Sequence, residues 1–133
     1  MIMVILSGFI PDASACLSDV PDFKPSPWML WRCATNLQVF PIEAIVKVDD
    51  SINGIHEGLL AGCWTVGIAK TSSYVGLTET QLEEVSSEEL TRRLNRAYKH
   101  LTNSGAHYVI DTIRDLPLVI NDINRKLANG EKP

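Results

Sequence analysis

The sequence predicts an α/β domain built on a parallel sheet. Three short apolar runs bounded by turn residues, 44–48, 64–69 and 107–110, alternate with helical patterns. The run 64–69 is apolar almost throughout, as in a strand covered on both faces. Strands and helices alternating at this spacing make βαβ units. A weaker fourth candidate strand lies at 13–17. No repeat, low-complexity stretch or dividing linker interrupts the chain, so a single unit over 1–133 with three or four strands is expected. At 133 residues there is room for one modest core.

Residues 18–22 carry loop chemistry. Ser26 then reads as a helix N-cap with Pro27 at the first helical position, and Met29, Leu30, Cys33 and Leu37 follow on one face. Trp28 and Trp31, three apart, are expected in the core. Pro41 closes this segment. After the strand at 44–48, Asp49 and Asp50 mark an abrupt end. A helix over 53–61 follows, with Ile55 and Leu59 inward, His56 and Glu57 at the surface, and Gly62 as its stop. Beyond the strand at 64–69, Thr78 with Gln81 and Ser86 with Glu89 form two capping boxes. The second opens a helix running to about Asn103. Past the strand at 107–110, Leu116, Val119, Ile120, Ile123 and Leu127 give the last helix its apolar face, and Gly130 ends it.

Composition narrows the function. Twelve Lys+Arg against 16 Asp+Glu leave a net charge of -4, which argues against nucleic acid as a partner. No apolar run is long enough to span a membrane. Cys16, Cys33 and Cys63 fit neither a disulfide framework nor a zinc site, and read as reduced, buried thiols of a cytoplasmic protein. Residues 1–10 are mostly apolar and Ala13-Ser14-Ala15 resembles a cleavage site. No Lys or Arg precedes that run, however, and Pro11 and Asp12 interrupt it, against a secretory signal.

In an open α/β sheet, ligands bind outside the carboxyl ends of the strands. Asp49 and Asp50 stand directly after one, and Ser51 leads into the next helix. One carboxylate there can share a hard cation such as Mg²⁺ with substrate phosphate and water; the plain alternative is that Asp50 or Ser51 caps the helix. Lys24, in the loop before Pro25, can offer a positive charge to a phosphate or can be a solvated surface lysine. Ser72-Ser73 reads as a turn. No Ser-His-Asp arrangement, Walker loop or GxGxxG is present, and His56, His100 and His107 show no metal-ligand spacing.

Several segments together resemble one family: Gly8-Phe9-Ile10-Pro11-Asp12, Ser18-Asp19-Val20-Pro21, Lys24-Pro25-Ser26-Pro27-Trp28-Met29, Val46-Lys47-Val48-Asp49-Asp50, Gly54-Ile55-His56-Glu57-Gly58, Ala61-Gly62-Cys63-Trp64-Thr65-Val66-Gly67, Gly105-Ala106-His107-Tyr108-Val109-Ile110-Asp111 and Asn129-Gly130-Glu131-Lys132-Pro133. They resemble the phosphonoacetaldehyde hydrolases (phosphonatases) of the haloacid dehalogenase superfamily, in one register from Gly8 onward. The resemblance implies a Rossmannoid core and Mg²⁺-dependent hydrolysis of a carbon–phosphorus bond to acetaldehyde and phosphate. In that chemistry a cap-domain lysine forms a Schiff base with the aldehyde and an aspartate on the first core strand attacks phosphorus. Lys24 matches the basic residue that steadies nucleophile and phosphoryl group. Asp50 matches the aspartate that ligates Mg²⁺, with Asp49 and Ser51 as possible supports around it.

The departures shape the expectation. The sequence holds no D-x-x-G-T nucleophile segment, no cap helices and no Schiff-base lysine; residues 1–7 match nothing in the family, and Gly54 stands where many superfamily members carry a second aspartate. The resemblance therefore implies the C-terminal half of a phosphonatase core, without the cap and its dimer contacts. Such a half would be inactive alone and would depend on an N-terminal complementing polypeptide, with phosphonoacetaldehyde or phosphate as ligand. The alternative is a non-catalytic phosphate- or Mg²⁺-binding or interaction module.

Overall fold

The strand that reads as fully buried in the sequence is the middle of the sheet. The computed structural model describes residues 10–133. In it β2 (Trp64–Ile68) lies between β1 (Val46–Asp49) and β3 (Tyr108–Ile110), and all are parallel in the order β1-β2-β3. Asp49 aligns with Gly67, and Ile68 with Ile110, so the carboxyl ends of the strands share one rim. Five helices accompany them: α1 (Trp28–Leu37), α2 (Ile52–Ala61), α3 (Glu79–Glu84), α4 (Ser87–Asn103) and α5 (Leu116–Ala128).

Side-chain alternation along β2 divides the core between two faces. Trp64 and Val66 point to one side, where Ile110, Val119 and Ile123 bury them under α5. On the other side Ile55 of α2 packs with Ala97 and Leu101 of α4, over Ala69 and Val75. Gly67 lets α4 approach closely, since a Cβ there would lie 3.2 Å from the Cβ and Cδ1 of Leu101. Gly62 ends α2 at φ +87°, the left-handed turn that glycine adopts without strain.

Most terminators act as expected. Thr78 and Gln81 close a reciprocal capping box. Ser86 accepts the Glu89 N–H, while the Glu89 carboxylate turns to Arg92 and Arg93 instead of completing its box. Four expectations are corrected. Residues 13–17 form no strand; that stretch is irregular and leads into a 3-10 turn at Leu17–Asp19. The stretch is tied locally instead, the Cys16 N–H donating to Asp19 Oδ2 at 2.8 Å. Ser26 does not cap α1, because its hydroxyl donates to Asp22 Oδ2 at 2.6 Å, and the helix begins after Pro27. Trp28 and Trp31 are not core residues. The buried stripe of α1 is Leu30 and Ala34, so the two indoles fall on another face and pack edge to face at 5.6 Å, partly exposed. Of the three thiols, all free, only Cys63 is buried; Cys33 is half-buried and Cys16 exposed. Residues 1–9, with the non-family start at 1–7 and the Gly8-Phe9 match, lie outside the described residues.

No helix among the described residues is long and apolar enough to cross a membrane.

Candidate functional site

At the carboxyl end of β1, Lys24, Lys47, Asp49 and Glu57 form one connected set of charges. Asp49 is the last residue of β1, and Ser51 caps α2 by accepting the Gly54 N–H at 3.0 Å. This is the capping role foreseen as the plain alternative for Asp50 or Ser51, and it falls to Ser51. Because Ser51 is fixed by that cap, both its N–H and its hydroxyl donate to Asp49 Oδ1, at 3.0 and 2.7 Å. The second oxygen, Oδ2, accepts from Lys24 Nζ at 2.7 Å and lies 3.3 Å from Lys47 Nζ.

Asp49 thus receives donors on both oxygens. Burial alone would raise its pKa, but the hydrogen bonds from Lys24 and Ser51 and the positive charges of Lys47 and Lys24 prevail and hold the carboxyl down at about 2. The loop lysine Lys24 is therefore not a free surface charge. It is brought from 25 residues upstream to the end of β1, with its side chain 24 % exposed and its ammonium part-covered.

Asp50 is placed differently. It follows β1 directly, is half-buried, and its carboxylate has no hydrogen bond or ion pair among the described residues. Adjacent residues of an extended chain point to opposite sides, so Asp49 is committed to the lysines while Asp50 keeps its oxygens available. Among the described residues no three His, Cys, Asp or Glu side chains gather as a metal cage. One uncommitted carboxylate matches the share of a Mg²⁺ shell that a protein strand commonly supplies, with phosphate oxygens and water completing it.

Two site residues were not legible as such. Lys47 sits mid-strand between Val46 and Val48, and its ammonium lies 2.7 Å from Glu57 Oε2. Glu57 corrects the surface expectation: it is 1 % exposed, facing the sheet from α2. Burial by itself would lower the pKa of Lys47, yet Glu57 and Asp49 overcome this and raise it, so the ammonium stays charged. The signal was present, since a lysine in the middle of a strand between two valines calls for an anion close by. His107, before β3, accepts the Thr65 N–H on Nδ1 at 3.0 Å and thereby fastens β2 to the entry of β3. Ser72 forms the turn expected of it, its hydroxyl donating to Ala69 O at 2.7 Å.

A groove of about 680 Å³ beside β1 is lined by Ala13, Ala15, Met29, Leu30, Cys33, Val46 and Val48, with the charged side chains Lys24, Lys47 and Glu57.

Comparison with known proteins gives these residues a lineage. No protein-family model matches the chain. A phosphonoacetaldehyde hydrolase-like protein of Syntrophobacter fumaroxidans is 45% identical over 127 residues, 96% of this chain and 46% of that protein. Phosphonoacetaldehyde hydrolases of Paraburkholderia xenovorans and Klebsiella pneumoniae are 40% and 42% identical over 95% of this chain, each matched over 47% of its own length. The chain thus spans about half the length of the relatives it matches, their C-terminal portion. The crystal structure of a phosphonoacetaldehyde hydrolase-like protein from Oleispira antarctica superposes with a TM-score of 0.95 at 42% identity, covering 99% of this chain and 48% of that one. A second solved structure, 24% identical, has the same fold at a TM-score of 0.83 over 98% of this chain and 78% of its own.

Proposed function

We propose that the chain is the C-terminal portion of a phosphonoacetaldehyde hydrolase with the haloacid-dehalogenase-like fold, and that it supplies the phosphate-facing part of a site for carbon–phosphorus bond hydrolysis. The observation that carries this reading is the convergence of Lys24 and Asp49 at the carboxyl end of β1, immediately before the uncommitted carboxylate of Asp50. The substrate is phosphonoacetaldehyde and the products are acetaldehyde and phosphate, as the names of the relatives suggest. The compartment is the cytoplasm.

Each side chain has one task. Lys24 presents its ammonium to the phosphoryl oxygens and to the attacking carboxylate, stabilising negative charge where it develops. Asp49 and Ser51 hold that ammonium in place. Asp50 takes part in holding Mg²⁺, which when bound neutralises phosphoryl oxygens. Lys47 and Glu57 form the buried ion pair beneath, and fix the backbone of β1 relative to α2.

Two functions of the reaction have no bearer among these 133 residues: the D-x-x-G-T nucleophile segment and the lysine that condenses with the aldehyde. In this reading both are supplied by a segment outside these 133 residues. The groove beside β1 suits it as a dock, because β1 is an edge strand among the described residues and lines that groove with Val46 and Val48. The 133 residues alone are then inactive, since loss of a nucleophile costs several orders of magnitude in rate.

The test is acetaldehyde release from phosphonoacetaldehyde with Mg²⁺. The chain is assayed alone and mixed with the N-terminal half of a relative. Activity only in the mixture is the expected result; activity from the chain alone, or silence in both, overturns the proposal.

A further inference from the structure

Gly54 is the third residue of α2, and its backbone gives no reason for glycine: its φ is not in the left-handed region. Glycine there weakens the helix relative to alanine. The reason lies in space. A Cβ at position 54 would sit 1.9 Å from Asp49 Cγ, 2.0 Å from Oδ2 and 2.3 Å from Oδ1. The Asp49 carboxylate therefore occupies the volume that any side chain at 54 would enter. It belongs to a relay in which the Gly54 N–H donates to Ser51 Oγ, the Ser51 hydroxyl to Asp49 Oδ1, and Lys24 to Asp49 Oδ2.

We infer that Asp49 is the positioning residue for Lys24 and that Gly54 is its obligate partner, vacating the space in which the carboxylate must lie to hold the ammonium. This deepens the reading of Lys24 given above and rests on it for the purpose of the positioning. The coupling itself is a property of the folded chain. Asp49 does not touch substrate in this scheme; it acts through Lys24. A carboxylate built at position 54 would start where the Asp49 carboxylate now ends, so the two positions are exchangeable sources of one negative charge.

The experiment is a double-mutant cycle on the full chain, read by denaturant unfolding and by the Lys24 side-chain Nζ and Cε resonances. Neither readout needs activity, so silence in the acetaldehyde assay leaves this test standing. Gly54→Ala is expected to lower the unfolding midpoint and move the Lys24 resonances towards those of a solvated lysine. In an Asp49→Ala background the same Gly54→Ala change is expected to be neutral or to raise the midpoint, because the collision is gone and helix propensity improves. The exchange variant Asp49→Gly/Gly54→Asp is expected to return the Lys24 resonances towards their parental positions. If Gly54→Ala does not fold, recovery of folding in Asp49→Ala/Gly54→Ala supports the coupling, and its absence overturns it. Equal effects of Gly54→Ala in the two backgrounds, or Lys24 resonances that keep their parental positions in both Gly54→Ala and Asp49→Ala, overturn it as well.

Discussion

Lys47 and Glu57 are joined across the β1–α2 interface by a 2.7 Å ion pair in which the carboxylate is 1 % exposed and the lysine 18 %. The asymmetry of burial decides which partner matters more. Removing the lysine leaves a buried carboxylate without its counter-charge; removing the glutamate leaves an ammonium that still has Asp49 at 3.3 Å.

Lys47→Met should therefore destabilise the fold by about 3–5 kcal/mol, and Glu57→Gln by less. The pair Lys47→Met/Glu57→Leu should recover much of the loss, because two apolar side chains carry no desolvation penalty. Urea unfolding of the four proteins measures this; an equal or greater loss for Glu57→Gln would contradict the argument.

The proposed roles of Lys24 and Asp50 predict separate kinetic effects in a mixture of this chain with the N-terminal half of a relative. Lys24→Met should reduce acetaldehyde release by roughly 10²–10³-fold at saturating Mg²⁺. Asp50→Ala should instead raise the Mg²⁺ concentration needed for half-maximal rate. A Mg²⁺ requirement unchanged by Asp50→Ala would remove Asp50 from the metal shell.

Acid should weaken the fold through Asp49. Its folded-state pKa of about 2 lies below the ordinary aspartate value of 3.8, so the unfolded chain takes up its proton first as pH falls. The stabilisation is complete above pH 3.8 and is lost as pH descends towards 2. Asp49→Asn should be less stable at neutral pH and should show a shallower decline between these values, measured by thermal unfolding.

His107 gives a second pH dependence, at higher pH. Burial, with a smaller push from the nearby Lys126 charge, holds its pKa below the usual 6.5, and protonation would take from Nδ1 the lone pair that accepts the Thr65 N–H. The unfolded state again binds the proton more readily. The His107 contribution is full above pH 6.5 and falls away as pH drops beneath it. His107→Gln should flatten the stability profile in that interval, while a profile equal to the parent's would show the imidazole to be uninvolved.

The sheet and its helices were legible because periodicity and punctuation agree in this chain. The apolar run ending at Ile68, the Thr78–Gln81 box and the Leu116–Leu127 face each need only local information. What was not legible depends on distant partners. Residues 13–17 are as apolar as a short strand but are held by the local Cys16–Asp19 turn, and Ser26 could cap α1 had Asp22 not taken its hydroxyl. Glu57 looked solvated because a carboxylate on a helix usually is; only Lys47, ten positions earlier on a strand, reveals otherwise. At the site, the aspartate pair and Lys24 stood out, but the sequence could not assign which carboxylate the lysine takes. The structure gives it Asp49.

The unequal surroundings of the three thiols make the chain easy to instrument. Burial lifts the Cys63 pKa to about 11 and also raises that of Cys33, whereas Cys16 is exposed in the segment leading to Lys24. A thiol-directed fluorophore would reach the exposed Cys16 before the more buried Cys33 and Cys63, without any engineering. It would report, from the segment that leads to Lys24, whether the N-terminal half of a relative docks on that side of the molecule.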